Sequence, residues 1–327
     1  MAAPVVLVPE CGAGIGFGHL ERMLALADAL REQVEPVVVT VAEASAVERV
    51  RNRGHVALPL AGSAPDRAMR AVVECAARLV VLDGYVFPAG VQTAIRGSCP
   101  LVVVDDLDGP CDCDVAVNPA PGVEDSPGPA GASATLRGPA FALLAAAYRT
   151  ARDQRMREPH SATSLLVSNG GSDLGSIGVP LAHALLTCSV DGRVDLVIGP
   201  GATTPLDHPR VTLHRSPTTL ASLLAQAALY AGAAGTTAVQ AACVGVPAII
   251  APVADNQRRQ AGALERAGCA VVVSPPIDER VAQSACRLLS DRERLQAMSR
   301  AGWELVDGRG SERVAAAIAE VLSARAM

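Results

Sequence analysis

The sequence contains no lysine; all 28 basic residues of the 327-residue chain are arginine. That excludes Schiff-base chemistry on a lysine amine and a Walker-type loop, whose lysine reaches the phosphates. Aromatic residues are scarce, at 2%. No apolar run approaches the ~18 residues that cross a membrane. The opening MAAPVVLVPE has neither the basic stretch nor the long apolar stretch of a signal peptide. A cytoplasmic protein that meets no membrane is therefore expected. The net charge is −5 with no basic stripe, which argues against nucleic acid as a partner. The nine cysteines are an odd number, scattered, and mostly inside apolar runs (Cys75, Cys188, Cys243, Cys269, Cys286); buried, reduced thiols are expected. Cys111 and Cys113 stand too close together for a zinc knuckle, and no His/Asp cluster has metal-ligand spacing, so no metal site is expected.

What the chain does contain is alternation. Short apolar runs, mostly followed by segments of helical period, recur at 5–8, 36–40, 55–59, 79–83, 101–105 and 115–118, and again at 164–168, 194–199, 210–214, 228–232, 247–252 and 270–274. Continuous apolar strands alternating with helices mean parallel sheets covered on both faces. A Pro/Gly/Ser-rich stretch, 118–134, reads as a loop, and two helices are expected to end the chain, around 279–304 and 311–325. The expected fold is α/β, with two doubly wound Rossmann-like domains (1–157 and 158–327) facing across a cleft, and with ligands at the carboxyl ends of the strands.

Gly12, Gly14, Gly16 and Gly18 follow the first strand and open the first helix, and His19 comes next. Such a joint offers amide groups and a positive helix end to an anion. It is not the dinucleotide fingerprint, because the third glycine of that motif would fall on Phe17 or on His19. A helix N-terminus favours neutral imidazole, which suits a general base; local packing is the alternative, and spacing does not decide between them. Two further glycine loops follow strands: SNGGSDLGS (168–176), with Gly170, Gly171 and Ser172, and AGAAGTTAVQ (231–240), with Gly235, Thr236 and Thr237. Together they suggest a diphosphate site. Asn256 and Gln257 could hydrogen-bond a sugar. Asp105 and Asp106, as strand neighbours, point to opposite faces, so at most one meets the site. Asp83 and Tyr85 close the fourth strand; Tyr85 is either a ligand contact or core.

These residues carry a resemblance. IGFGHLERMLALADAL, VVLDGY, LVVVDDLDGPCDCDVAVNP, LRGPAFALL, LLVSNGGSD, AGTTAVQAACVGVPAIIAPVADNQ and ELVDGRGSERV, in this order and spacing, resemble the nucleotide-sugar hydrolases of the pseudaminic acid pathway, relatives of the GT-B glycosyltransferase that makes lipid II. The resemblance implies a GT-B fold and hydrolysis of a UDP-linked amino/deoxy sugar with inversion, needing no cofactor. It implies His19 as base or water-positioning group, Glu10, Gly16, Gly18, Tyr85, Asp106, Asn256 and Gln257 around the sugar, and Gly170, Gly171, Ser172, Gly235, Thr236, Thr237 and Gln240 around the nucleotide. The family's Arg-x-Asp-x-Ser is here Val8, Glu10 and Gly12, and Gln240 stands where the family places an acid on the ribose. The implied partner is a nucleotide-sugar substrate, bound by a monomer or homodimer. The alternative is a GT-B glycosyltransferase that uses an acceptor hydroxyl in place of water. A third reading is a binding protein without turnover.

Overall fold

The computed structural model describes residues 3–12, 15–34, 36–124, 126–158, 164–170, 177–186, 192–199, 208–215, 217–274 and 279–326. The chain divides into two compact units, one made of Met1–Ala145 with Gly308–Met327 and the other of Ala146–Asp307. In unit 1, β1 (Val5–Pro9), β2 (Val37–Val41), β3 (Val56–Pro59), β4 (Leu79–Asp83), β5 (Leu101–Val104), β6 (Cys113–Asn118) and β7 (Ala132–Arg137) form one sheet in the order β3-β2-β1-β4-β5-β6-β7. Every pairing is parallel. The helices between them are α1 (Gly18–Arg31), α2 (Ala44–Asn52), α3 (Ala64–Glu74) and α4 (Ala89–Arg96).

Alternation along β1 shows why its run is apolar throughout. Val5 and Leu7 enter one core, with Leu20, Leu24 and Ile318, while Val6 and Val8 enter another, with Ala68, Ala71 and Ile95. A strand buried on both faces has no solvent side to make polar. Ser63 starts α3 with a reciprocal cap, its hydroxyl taking the Asp66 amide and the Asp66 carboxylate taking the Ser63 amide.

In unit 2, α5 (Ala146–Arg157) precedes β8 (Ser164–Ser168), α6 (Gly178–Leu186), β9 (Val194–Ile198), β10 (Val211–Arg215), α7 (Ala221–Gln226), β11 (Ala227–Ala233), α8 (Thr236–Val244), β12 (Ala248–Ala251), α9 (Asn256–Arg266), β13 (Ala270–Val272), α10 (Glu279–Leu289) and α11 (Arg292–Leu305). The sheet order is β10-β9-β8-β11-β12-β13, again all parallel. α12 (Gly310–Ala326) returns to unit 1, where Val314, Ala315 and Ile318 join the core under α1.

Four features differ from the sequence reading. Unit 2 begins at Ala146 and gives the last twenty residues back to unit 1, because the apolar face of α12 is completed by α1. Part of the stretch read as a loop is β7, an edge strand in register with β6. The helix expected over 279–304 is two, since Asp291 caps the second through its carboxylate and the Arg294 amide. Cys286 is disulfide-bonded rather than a free thiol, whereas Cys75, Cys243 and Cys269 are free. Gly171, Ser172 and Cys188 lie outside the described residues.

Candidate functional site

In a doubly wound sheet the crevice for ligands opens where the strand order reverses, at the carboxyl ends of the two central strands. In unit 1 those strands are β1 and β4. The residues just beyond them are Glu10 and, at the end of β4, Asp83 to Tyr85; α1 rises from the loop after β1.

His19 and Arg22 are three residues apart on α1 and so share a face. Both reach Asp83, whose side chain is fully buried. His19 Nδ1 stands 2.8 Å from Asp83 Oδ1. Arg22 forks onto the same carboxylate, Nε to Oδ2 at 3.1 Å and Nη2 to Oδ1 at 2.6 Å. Its remaining nitrogen, Nη1, donates to both oxygens of Asp106 at 2.8 Å. Tyr85 donates its hydroxyl to Asp106 Oδ2 at 3.1 Å and sets its ring edge-on to His19, with centroids 5.1 Å apart.

The tautomer follows from this network. Arg22 Nη2 also lies 2.8 Å from His19 Nδ1, and a guanidinium only donates while a carboxylate only accepts. If Nδ1 were bare, its lone pair would face the Asp83 carboxylate. If Nδ1 carries the proton, it donates to Asp83, and Arg22 Nη2 spends its own proton on the same oxygen. The second arrangement leaves no lone pair against an anion, so it wins. Nε2 then holds the basic lone pair, the arrangement by which a buried carboxylate prepares an imidazole to take a proton.

Burial by itself would raise the Asp83 carboxyl, but Arg22 and His19 outweigh it and hold the group below the ordinary carboxylate range. Burial also opposes the charge on Arg22; Asp106 and Asp83 overcome it and fix the guanidinium as a cation. The Tyr85 phenol is pushed up by burial and by Asp106, so it stays protonated and donates.

Glu10 takes a supporting place. Its Oε2 accepts the Tyr85 amide at 2.7 Å, and its own amide bonds the Asp83 carbonyl at 2.8 Å. This clasp needs Gly84, whose φ is +153° and whose missing Cβ would fall 2.4 Å from Glu10 Cβ. Gly16, with φ +85°, pairs with Gly12 across the loop before α1. Gly18 is the first residue of α1, with open space where a Cβ would be. Asp105 turns away and accepts the Leu107 and Gly109 amides, so the two adjacent aspartates do separate. His19, Tyr85, Asp106 and Glu10 thus come together around Asp83 and Arg22. Arg22 and Asp83 are the members to which the sequence reading gave no role; the signal for Arg22 is its i, i+3 spacing from His19, and for Asp83 its place at the carboxyl end of the fourth strand.

In unit 2 the order reverses between β8 and β11. Gly170 (φ +92°) lies beyond β8, and Gly235 is the N-cap of α8, with Thr236 and Thr237 as its first residues and no side-chain cap. Gly232 permits the two strands' ends to close, since a Cβ there would meet the Ser168 carbonyl oxygen at 1.9 Å. Beneath, fully buried Tyr230 donates to the carbonyls of Ser168 and Ala233. Thr237 hydrogen-bonds Tyr230. Gln260, unforeseen from sequence, donates to the Ala234 and Gly235 carbonyls at 2.6 and 2.9 Å. Gln257 accepts the Val253 amide and lies beside Gly235, while Asn256 is exposed. Gln240 Oε1 is buried and has no partner among the described residues.

No family model and no curated protein matches the chain in sequence. Solved structures do match its fold. The spinosyn forosaminyltransferase SpnP superposes with a TM-score of 0.71 at 16% identity, covering 99% of this chain and 100% of that one. The calicheamicin glycosyltransferase CalG4 gives 0.66 at 17% identity, covering 100% of both. MurG of Acinetobacter baumannii gives 0.62 at 16% identity, covering 97% and 99%. The chain has the two parallel-sheet α/β domains of the GT-B glycosyltransferase fold. These three neighbours are glycosyltransferases, and they correct the expectation of a nucleotide-sugar hydrolase; nothing points to the pseudaminic acid hydrolases in particular. Among the described residues no helix is long and apolar enough to cross a membrane, and no three His, Cys, Asp or Glu side chains are grouped to hold a metal.

Proposed function

We propose that the protein is a glycosyltransferase that moves a sugar from a nucleoside-diphosphate donor to an acceptor hydroxyl. The observation that carries base-assisted attack on the donor is the His19–Asp83 pair, 2.8 Å apart at the switch point of unit 1; an acceptor hydroxyl in place of water is supported by the solved glycosyltransferases of the same fold. His19 Nε2 takes the acceptor's hydroxyl proton as the oxygen forms its bond to the anomeric carbon. The bond from that carbon to the diphosphate breaks, and the nucleoside diphosphate leaves with the electron pair. Asp83 keeps the imidazole oriented and stabilises the imidazolium that results. Arg22 holds Asp83 and Asp106 in place, and Tyr85 and Glu10 shape the wall beside His19.

The donor's diphosphate is assigned to unit 2, where the uncapped start of α8 and the turns at Gly170 and Gly235 offer amides and a positive helix end. Gln240, whose buried oxygen lacks a donor, fits a ribose hydroxyl. The solved glycosyltransferases of the same fold support the reading. The test is release of nucleoside diphosphate from UDP-, GDP-, CDP- and dTDP-sugars, with and without a panel of hydroxylated acceptors. Release that depends on an acceptor and disappears in His19→Ala supports transfer. Release that is independent of every acceptor overturns it.

A further inference from the structure

A cavity lies in unit 2 at the amino ends of β11 and β12, opposite the carboxyl end of β11 that leads to Gly235. Ala228, near the start of β11, and Pro247, just before β12, form part of its wall. Its volume is about 400 Å³, within the size range of small-molecule sites. One face of α11 lines it, with Arg292, Leu295, Ser299 and Trp303 recurring every three or four residues. α5 contributes Arg155 and Met156, and Arg300 completes the rim. Among the described residues, three arginines and no carboxylate line the cavity.

Arg155 makes the charge of this place unusual. It is 6% exposed, and its partners are the carbonyl oxygens of Ala225, Ala227 and Gly245. Its Nε is buried without an acceptor among the described residues. Burial draws its pKa down to about 10, with no carboxylate acting against it, so it remains a cation at neutral pH. A buried cation without a counter-ion is costly, and an anion in the cavity offsets that cost. Beside the guanidinium groups, Leu295, Met156 and Trp303 present apolar surface.

We propose that this cavity binds a small amphipathic anion, in which an acidic group on a flat apolar body meets Arg155, Arg292 and Arg300 while the body lies against Leu295, Met156 and Trp303. The site is separate from the nucleotide cradle proposed above. Trp303 nevertheless donates to the Val244 carbonyl, at the far end of the helix that Thr236 begins.

The chain's single tryptophan lines the cavity, so energy transfer from Trp303 to 8-anilinonaphthalene-1-sulfonate reports occupancy at this place. The expected result is saturable quenching of Trp303 by the sulfonate. Its affinity should fall about tenfold or more in Arg292→Ala/Arg300→Ala, the size of losing charge-assisted hydrogen bonds. The uncharged analogue N-phenyl-1-naphthylamine should bind as weakly as the sulfonate binds the variant, and excess UDP should displace nothing. Both arginines are exposed, and the variant's unfolding midpoint checks that it is folded. Quenching unchanged by the double substitution, equal binding of the neutral analogue, displacement by UDP, or no quenching at millimolar sulfonate would each overturn the proposal.

Discussion

At the switch point of unit 1, between β1 and β4, the groups that meet are Glu10, His19, Arg22, Asp83, Tyr85 and Asp106, all ionisable and tied to one another. At the switch point of unit 2, between β8 and β11, the same topology presents Gly170, Gly235, Thr236, Thr237 and Gln240, none of them ionisable. A proton acceptor has to be held in one tautomer and one orientation, and opposed charges in a buried network do that. A diphosphate already carries its charge, so the site proposed for it needs only helix-end amides and glycines that let the backbone come close. On the proposed reading, one fold used twice separates moving a proton from holding an anion.

The sharpest way to break this comparison is to remove the base. His19→Ala should lower acceptor-dependent turnover by about 10³-fold and leave nucleoside diphosphate affinity, read by calorimetry, unchanged. If affinity falls with turnover, the division between the units is wrong.

Asp83→Asn should come next. It frees the imidazole to turn and leaves Arg22 short of an anion, which should slow turnover by about 10²-fold and reduce stability by about 3 kcal/mol, checked by rates and urea unfolding. The same variant isolates a pH effect. Because the Asp83 carboxyl is held low in the folded state, its stabilisation is complete above the unfolded value of ~3.9 and is lost as pH falls through the lower folded value. The wild type's unfolding midpoint should therefore drop more steeply below about pH 4 than that of Asp83→Asn.

Gly84→Ala tests the clasp rather than the charges. A side chain at φ +153°, running into Glu10, should cost on the order of 2 kcal/mol and lower turnover through a displaced Tyr85. Gln240→Ala should show the smallest effect, an about fivefold weaker nucleotide affinity with no change in stability, since the lost oxygen has no partner among the described residues.

Much of this was legible in the sequence. The central apolar runs became strands because both faces are covered, and His19 fell on the first turn of a helix as its glycine-rich approach indicates. Tyr85 and Asp106 were placed by their strand ends. Arg22 was not legible. In HLERM it reads as one more polar helix residue, and its value lies in Asp83 and Asp106, 61 and 84 positions away. β7 was hidden because an edge strand can be small and polar, and ASATLR is both. The reaction was misread because water and an acceptor hydroxyl ask the same thing of a base, so the residues that take the proton do not say which nucleophile loses it.

The return of α12 to unit 1 has a consequence for biosynthesis. On the ribosome, residues 146–307 are synthesised before Gly310–Ala326 exist. Until they do, the α1 surface that Val314, Ala315 and Ile318 cover stays open to water, so the half of the chain made first is the half that finishes folding last.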